Sequence, residues 1–112
     1  MDALDRYRDI IEGCLTEYTQ PPYVHDDIDK EAVFDRVRDR YLVMTIGWIS
    51  QKRIHSSLIH IDVIDGKVWV QRDDTETGIA LELLRAGIPK EDIVIGFRPA
   101  EVRPFIEFAN AN

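Results

Sequence analysis

The 112-residue sequence predicts an α+β fold: an antiparallel meander sheet of four to five strands, an N-terminal helix, and a second helix after the last hairpin. Three observations predict it. An apolar stripe at spacings of three and four opens the chain, and alternating apolar segments joined by short polar turns fill its middle. A cluster of capping residues then follows the last hairpin.

Residues 3–19 read as an amphipathic helix, with Leu4, Tyr7, Ile11, Cys14, Leu15 and Tyr18 on one side and Asp2 as N-cap. Pro21 and Pro22 end it, because neither has an N–H and each biases its predecessor out of the helical region. The following stretch, 23–31, holds His25, Asp26, Asp27, Asp29 and Glu31. It reads as a solvated linker. A cation site is the alternative, but carboxylate density alone supplies no coordination geometry.

From Ala32 to Arg72 the pattern is four strands: 32–37, 40–49, 53–64 and 67–72. Arg38-Asp39 and Ser50–Lys52 form the first two turns. Asp65-Gly66 is the strongest turn signal, since a type I′ turn needs φ > 0 at both central positions and these residues tolerate it. Counting from it pairs Ile64 with Lys67, Val63 with Val68, Asp62 with Trp69, Ile61 with Val70, and His60 with Gln71. Ile59, Ile61, Val63, Val68 and Val70 then share an apolar face, and His60, Asp62, Trp69 and Gln71 share the other. A two-residue turn at Ser50-Gln51 sets Leu42 opposite Ile59, which puts Leu42, Met44 and Ile46 on the apolar face. The N-terminal helix is the natural cover for that face.

Asp73-Asp74-Thr75-Glu76 signals the second helix, with Thr75 or Asp74 as cap and Glu76 favoured at the positive end of the dipole. Ile79, Leu83 and Leu84 form its stripe, and Gly87 stands where a left-handed C-cap is expected. Ile88–Asp92 leads into a short strand at 93–97. Pro99 opens a brief final helix that Pro104 limits. With no repeat or low-complexity tract, residues 1–112 read as one domain. At this length folding buries roughly 65% of the unfolded surface.

Bulk features narrow the function classes. No apolar run nears the roughly 20 residues that span a bilayer. The opening MDALDRYRDIIEG has acids at positions 2 and 5 and no apolar core, so it is not a signal peptide. The single cysteine, Cys14, allows no internal disulfide and fits a reducing cytoplasm. On the apolar side of its helix it reads as an inert buried thiol, with reactivity as the alternative. A net charge of −7 disfavours non-specific binding to a phosphate backbone. Arg36, Arg38, Arg40, Lys52 and Arg53 nonetheless fall in and around one pair of turns. They read as solvated hairpin ends that guard strand edges, with DNA contact as the alternative.

Catalytic and cofactor motifs are missing. Serines occur only at 50, 56 and 57, near His55 and His60 but without a strand-to-helix elbow to expose a hydroxyl. No phosphate-binding glycine loop, CxxC or HExxH occurs, so no catalytic residue, metal ligand or cofactor is assigned. His60 and Asp62, two apart on one strand, could work as an acid–base pair in a small enzyme. At that spacing their contact is not assured, and a metal there would lack a third good ligand. A solvated face with one amphipathic Trp is the bland reading. The favoured one is an interaction face made of Trp48, Arg53, His55, His60, Asp62, Trp69 and Gln71, since aromatic residues concentrate at interface centres. A second copy of the chain is a common cover for a bare sheet face, which makes a homo-oligomer expected.

Several segments carry a family resemblance: YRDII (7–11), Phe34-Asp35, Tyr41, Gly47-Trp48, Arg53-Ile54-His55, LIHIDVIDGKVWVQRD (58–73), Thr75-Glu76, GIA (78–80), AGIPKEDIVIGF (86–97) and Phe108-Ala109. On these the chain resembles the XisI family, the fdxN element excision controlling factors of cyanobacteria, over nearly its whole length. Ser56-Ser57 departs from an expected glycine and small residue, and Arg103-Pro104-Phe105 varies the ending. The resemblance implies a cytoplasmic accessory protein in programmed DNA element excision by site-specific recombination. It would act through protein–protein interaction with a XisH-like partner, contacting DNA indirectly. A direct DNA-binding accessory factor is the alternative.

Overall fold

The computed structural model describes residues 3–21 and 27–101. The elements run α1 (Ala3–Glu17), β1 (Ile28–Asp35), β2 (Arg40–Ile49), β3 (Lys52–Ile64), β4 (Lys67–Asp73), α2 (Ile79–Ala86) and β5 (Ile93–Ile95). They form one five-stranded sheet in the order β1-β2-β3-β4-β5. The first four strands are the expected antiparallel meander. β5 joins parallel to β4, because the chain crosses back over the sheet through α2, the usual route to a parallel neighbour.

Both helices pack on one face of the sheet. Tyr7, Ile11 and Leu15 from α1, Ile79 and Leu83 from α2, and Tyr41, Val43, Ile59, Ile61, Val68 and Val70 from the strands belong to one buried cluster. Asp65 and Gly66 take φ of 51° and 78°, and the ladder leaves that turn as counted, from Ile64–Lys67 to Ile61–Val70.

β1 begins at Ile28, four residues before the expected start, so Asp29 and Glu31 belong to a strand rather than to a linker. It pairs with β2 as far as Gly47, and Trp48 N–H donates to Asp27 O at 3.1 Å. The approach is so close that a Cβ on Gly47 would stand 2.2 Å from that carbonyl oxygen. His25 and Asp26 lie outside the described residues, as do Asp2 and the segment around Pro104. Among the described residues no cluster of His, Cys, Asp and Glu is arranged to hold a metal ion.

The first turn is a four-residue loop over 36–39, not a two-residue one, since Asp35 pairs with Arg40. Asp39 holds it at φ 55°. Arg8 clamps the Asp39 carboxylate from α1, Nε to Oδ1 at 2.8 Å and Nη2 to Oδ2 at 3.0 Å, and Tyr41 Oη donates to Oδ1 at 2.9 Å. These donors, Arg8 first, hold the Asp39 carboxyl below the usual carboxylate range. A lowered folded-state pKa contributes stability above the unfolded value, near 3.9, and that contribution fades as pH falls toward the folded value. Asp39→Asn keeps a residue that tolerates this φ. Urea melts should therefore show the variant less stable at pH 6 and above, with the gap closing below about pH 4. A gap that persists unchanged in acid would contradict the clamp.

The second helix is capped from further back than expected. Asp73, not Thr75 or Asp74, accepts Ile79 N–H at 2.8 Å through Oδ2 and Thr75 N–H at 3.0 Å through Oδ1. Gly87 ends the helix at φ 117° as expected, and Arg6 reaches across from α1 to donate to its carbonyl at 2.9 Å. Tyr7 Oη donates to Asp92 Oδ2, which with burial pushes the phenol up to about 12. Among the described residues no helix is long and apolar enough to cross a membrane.

Candidate functional site: the open sheet face

With both helices on one side, the other face of the sheet is the candidate site. Its composition differs from the expectation at one decisive place. Leu42, Met44 and Ile46 do not join the core; Tyr41 and Val43 do, each fully buried. The turn at Ser50-Gln51 is as expected, with Ile49 opposite Lys52, but the register shifts between Met44–Ser57 and Val43–Ile59. Leu58 is the extra residue. A β-bulge reverses which face the following residues address, so Leu42 stands opposite His60 rather than Ile59. Leu42, Met44 and Ile46, all half-buried, form an apolar band on the open face in line with Trp48.

A second bulge lies on β4. Arg72, not Gln71, is opposite His60, while Asp62 and Trp69 pair as counted. Gln71, the extra residue here, turns its amide to Asp62, Nε2 donating to Oδ2 at 3.2 Å. His60 Nε2 lies 2.8 Å from Asp62 Oδ1, so the pair two apart on the strand does make contact. One carboxylate thus gathers an imidazole and an amide, its side chain only 14% exposed. Gly96 sits against this group: a Cβ there would come within 2.7 Å of Gln71 Oε1 and 3.0 Å of the Trp69 ring. Nothing in the sequence beyond a lone glycine after an apolar run marked that position.

At the far end of the band Arg53 stacks on Trp48, its guanidinium carbon 5.3 Å from the ring centroid. His55 lies opposite Ile46. The seven predicted face residues therefore form two groups joined by the apolar band: His60, Asp62, Trp69 and Gln71 at the centre, and Trp48, Arg53 and His55 on the projecting β2–β3 hairpin.

The basic residues do not form one patch. Arg36, Arg38 and Arg40 lie at one end of β2, Lys52 and Arg53 at the other, roughly 30 Å apart at about 3.3 Å per residue. The two turns bracket a whole strand. Arg36 is engaged with Asp9 at 2.8 Å and Glu12 at 2.7 Å, and Arg38 with Asp35 at 3.1 Å.

Acid–base chemistry has only part of its apparatus here. Ser57 Oγ donates to Ile59 O at 3.1 Å, so it is directed to the backbone rather than to His60. A cleft of about 370 Å³ opens elsewhere, between Tyr18, Lys30, Leu58 and the 74–77 segment, and neither His60 nor Asp62 lines it. Cys14 is half-buried, and desolvation, with Glu82 and Glu17 nearby, pushes its thiol up to about 11, so almost none is thiolate at neutral pH.

Comparison with known proteins places this geometry in context. The family model for XisI protein matches residues 1–110. A crystal structure of a XisI-like protein from Anabaena variabilis ATCC 29413 superposes with a TM-score of 0.89 at 32% identity, covering 96% of this chain and 99% of that one. The fdxN element excision controlling factor XisI from the same organism gives a TM-score of 0.81 at 33% identity, covering 98% and 100%. No curated protein matches significantly.

Proposed function

The chain belongs to the XisI family, and from that premise we propose that it is a cytoplasmic accessory factor controlling excision of a DNA element, acting by holding a XisH-like companion rather than by cutting DNA. A solved relative bears the name of an excision controlling factor, which supports the biological setting. The observation that carries the contact reading is the open face itself. Leu42, Met44, Ile46, Trp48 and Trp69 give an aromatic and aliphatic centre, and His60, Asp62, Gln71, Arg53 and His55 give the polar rim an interface uses for orientation. The chain also self-associates in this reading.

DNA would be met through the companion. The basic residues fall into two separated groups, two of them, Arg36 and Arg38, already paired with acids, and the net charge is −7, so the charge density that phosphate binding needs is lacking. Co-expression with the XisH-like companion, followed by size-exclusion chromatography at micromolar concentration, tests the proposal. Co-elution is expected for the wild type, and it is lost or weakened with Trp69→Ala. Separate elution of the wild type would sink it.

A further inference from the structure

We propose that the apolar band on β2 is the seat of one amphipathic helix of the companion, lying along the strand. Its apolar stripe meets Leu42, Met44, Ile46 and Trp48, its basic flank meets Asp29 and Glu31, and its acidic flank meets Arg53 and His55. This names the chemistry of the partner at the open face and rests on the contact reading just proposed.

The charges on the two sides of the band have opposite sign. Phe34 packs against the buried cluster, so by strand alternation the odd-numbered residues of β1 address the open face. Asp29 there stands opposite Ile46, and Glu31 opposite Met44. Both are exposed, and among the described residues neither is in an ion pair. Lys30 between them points to the helix side, where it lines the cleft with Tyr18. Across the band, His55 stands opposite Ile46 and Arg53 opposite Trp48. Both are exposed, and β3 has no acid from Arg53 to His60. Asp62 lies beyond the end of the band, already engaged by His60 and Gln71.

The dimensions select a helix. β1 and β3 are the two neighbours of β2, which sets the acidic and basic flanks about 10 Å apart. That is the diameter of an α-helix with its side chains. The band from Leu42 to Trp48 is about 20 Å long, matching roughly 13 helical residues, and its side chains repeat at about 7 Å. A packed sheet would spread its apolar contact over several strands, whereas these charges confine it to one. A nucleic acid would set phosphates against Asp29 and Glu31. Trp69, on β4 two strands from the band, meets another part of the companion, so its variants report separately.

Calorimetric titration of the XisH-like companion into the full chain at low ionic strength tests this. The paired variants Asp29→Lys with Glu31→Lys, and Arg53→Glu with His55→Glu, are each expected to weaken the complex roughly tenfold. Should the lysine pair fail to fold by near-ultraviolet circular dichroism, Asp29→Asn with Glu31→Gln is expected to weaken it about threefold. Amide exchange on the companion should show protection over one helix, and acids placed on the basic flank of that helix should restore binding to the lysine pair. Affinities within twofold of wild type for both flanks, with Trp69→Ala still damaging, overturn this proposal and leave the open-face reading standing. Protection of a strand, or of a helix with one sign of charge on both flanks, overturns it too. A chain that sediments alone as a dimer, and as a monomer when either flank is reversed, assigns the band to a second copy instead and also overturns it. A wild type that does not bind the companion removes the open-face reading and this inference together.

Discussion

Truncation of Ile11 to alanine is expected to lower the unfolding free energy by about 3 kcal/mol, a drop in Tm on the order of 10 °C. Ile11 is fully buried at the centre of α1. A helix of this length is marginal alone in water, so α1 is held by its apolar stripe against the sheet and α2. Losing three buried carbons leaves a cavity beneath Tyr7 and Leu15 on the same stripe. Val37→Ala, at a site 93% exposed, should change stability by no more than about 0.5 kcal/mol. Denaturant titration of both variants checks the contrast. Equal effects would mean that α1 does not anchor the core.

Trp69→Ala is expected to behave in the opposite way, weakening the companion complex by about 2 kcal/mol or more, roughly 30-fold, while the chain still folds. Trp69 stands beside Asp62 in the centre of the open face, opposite it in the ladder, and aromatic residues at interface centres dominate binding energy. Calorimetric titration of the companion into the variant measures it. Affinity within about twofold of the wild type would place the contact elsewhere on the molecule.

Much of this architecture was legible from residue pattern. The helical stripe from Leu4 to Tyr18, the Asp65-Gly66 turn, the pairing through Ile61–Val70 and the glycine C-cap at Gly87 are local features, each specified by residues adjacent in sequence. The face of β2 was not legible, because a single extra residue at Leu58 decides it and no local signal marks a bulge. A tension was nevertheless present. Trp48 has the same parity as Leu42, Met44 and Ile46, so setting Trp48 beside Trp69 while burying Leu42 could not hold along one regular strand. The structure resolves it toward Trp48, and the whole row moves to the open face. Similarly, strict counting put Gln71 opposite His60. The β4 bulge instead delivers Gln71 to Asp62, and a tertiary contact no spacing rule predicts gathers His60, Asp62 and Gln71. Asp73 escaped notice as a cap because its reach of six residues to Ile79 depends on the fold of the 74–78 loop.

The corrected face enlarges the apolar centre of the candidate site and makes the contact claim sharper. The most direct test is amide hydrogen exchange of the chain, alone and with its XisH-like companion. Protection is predicted across Leu42–Trp48, His60–Asp62 and Trp69–Gln71, with α1 and α2 unchanged. Protection confined to the helices, with those strands exchanging as in the free protein, would contradict it.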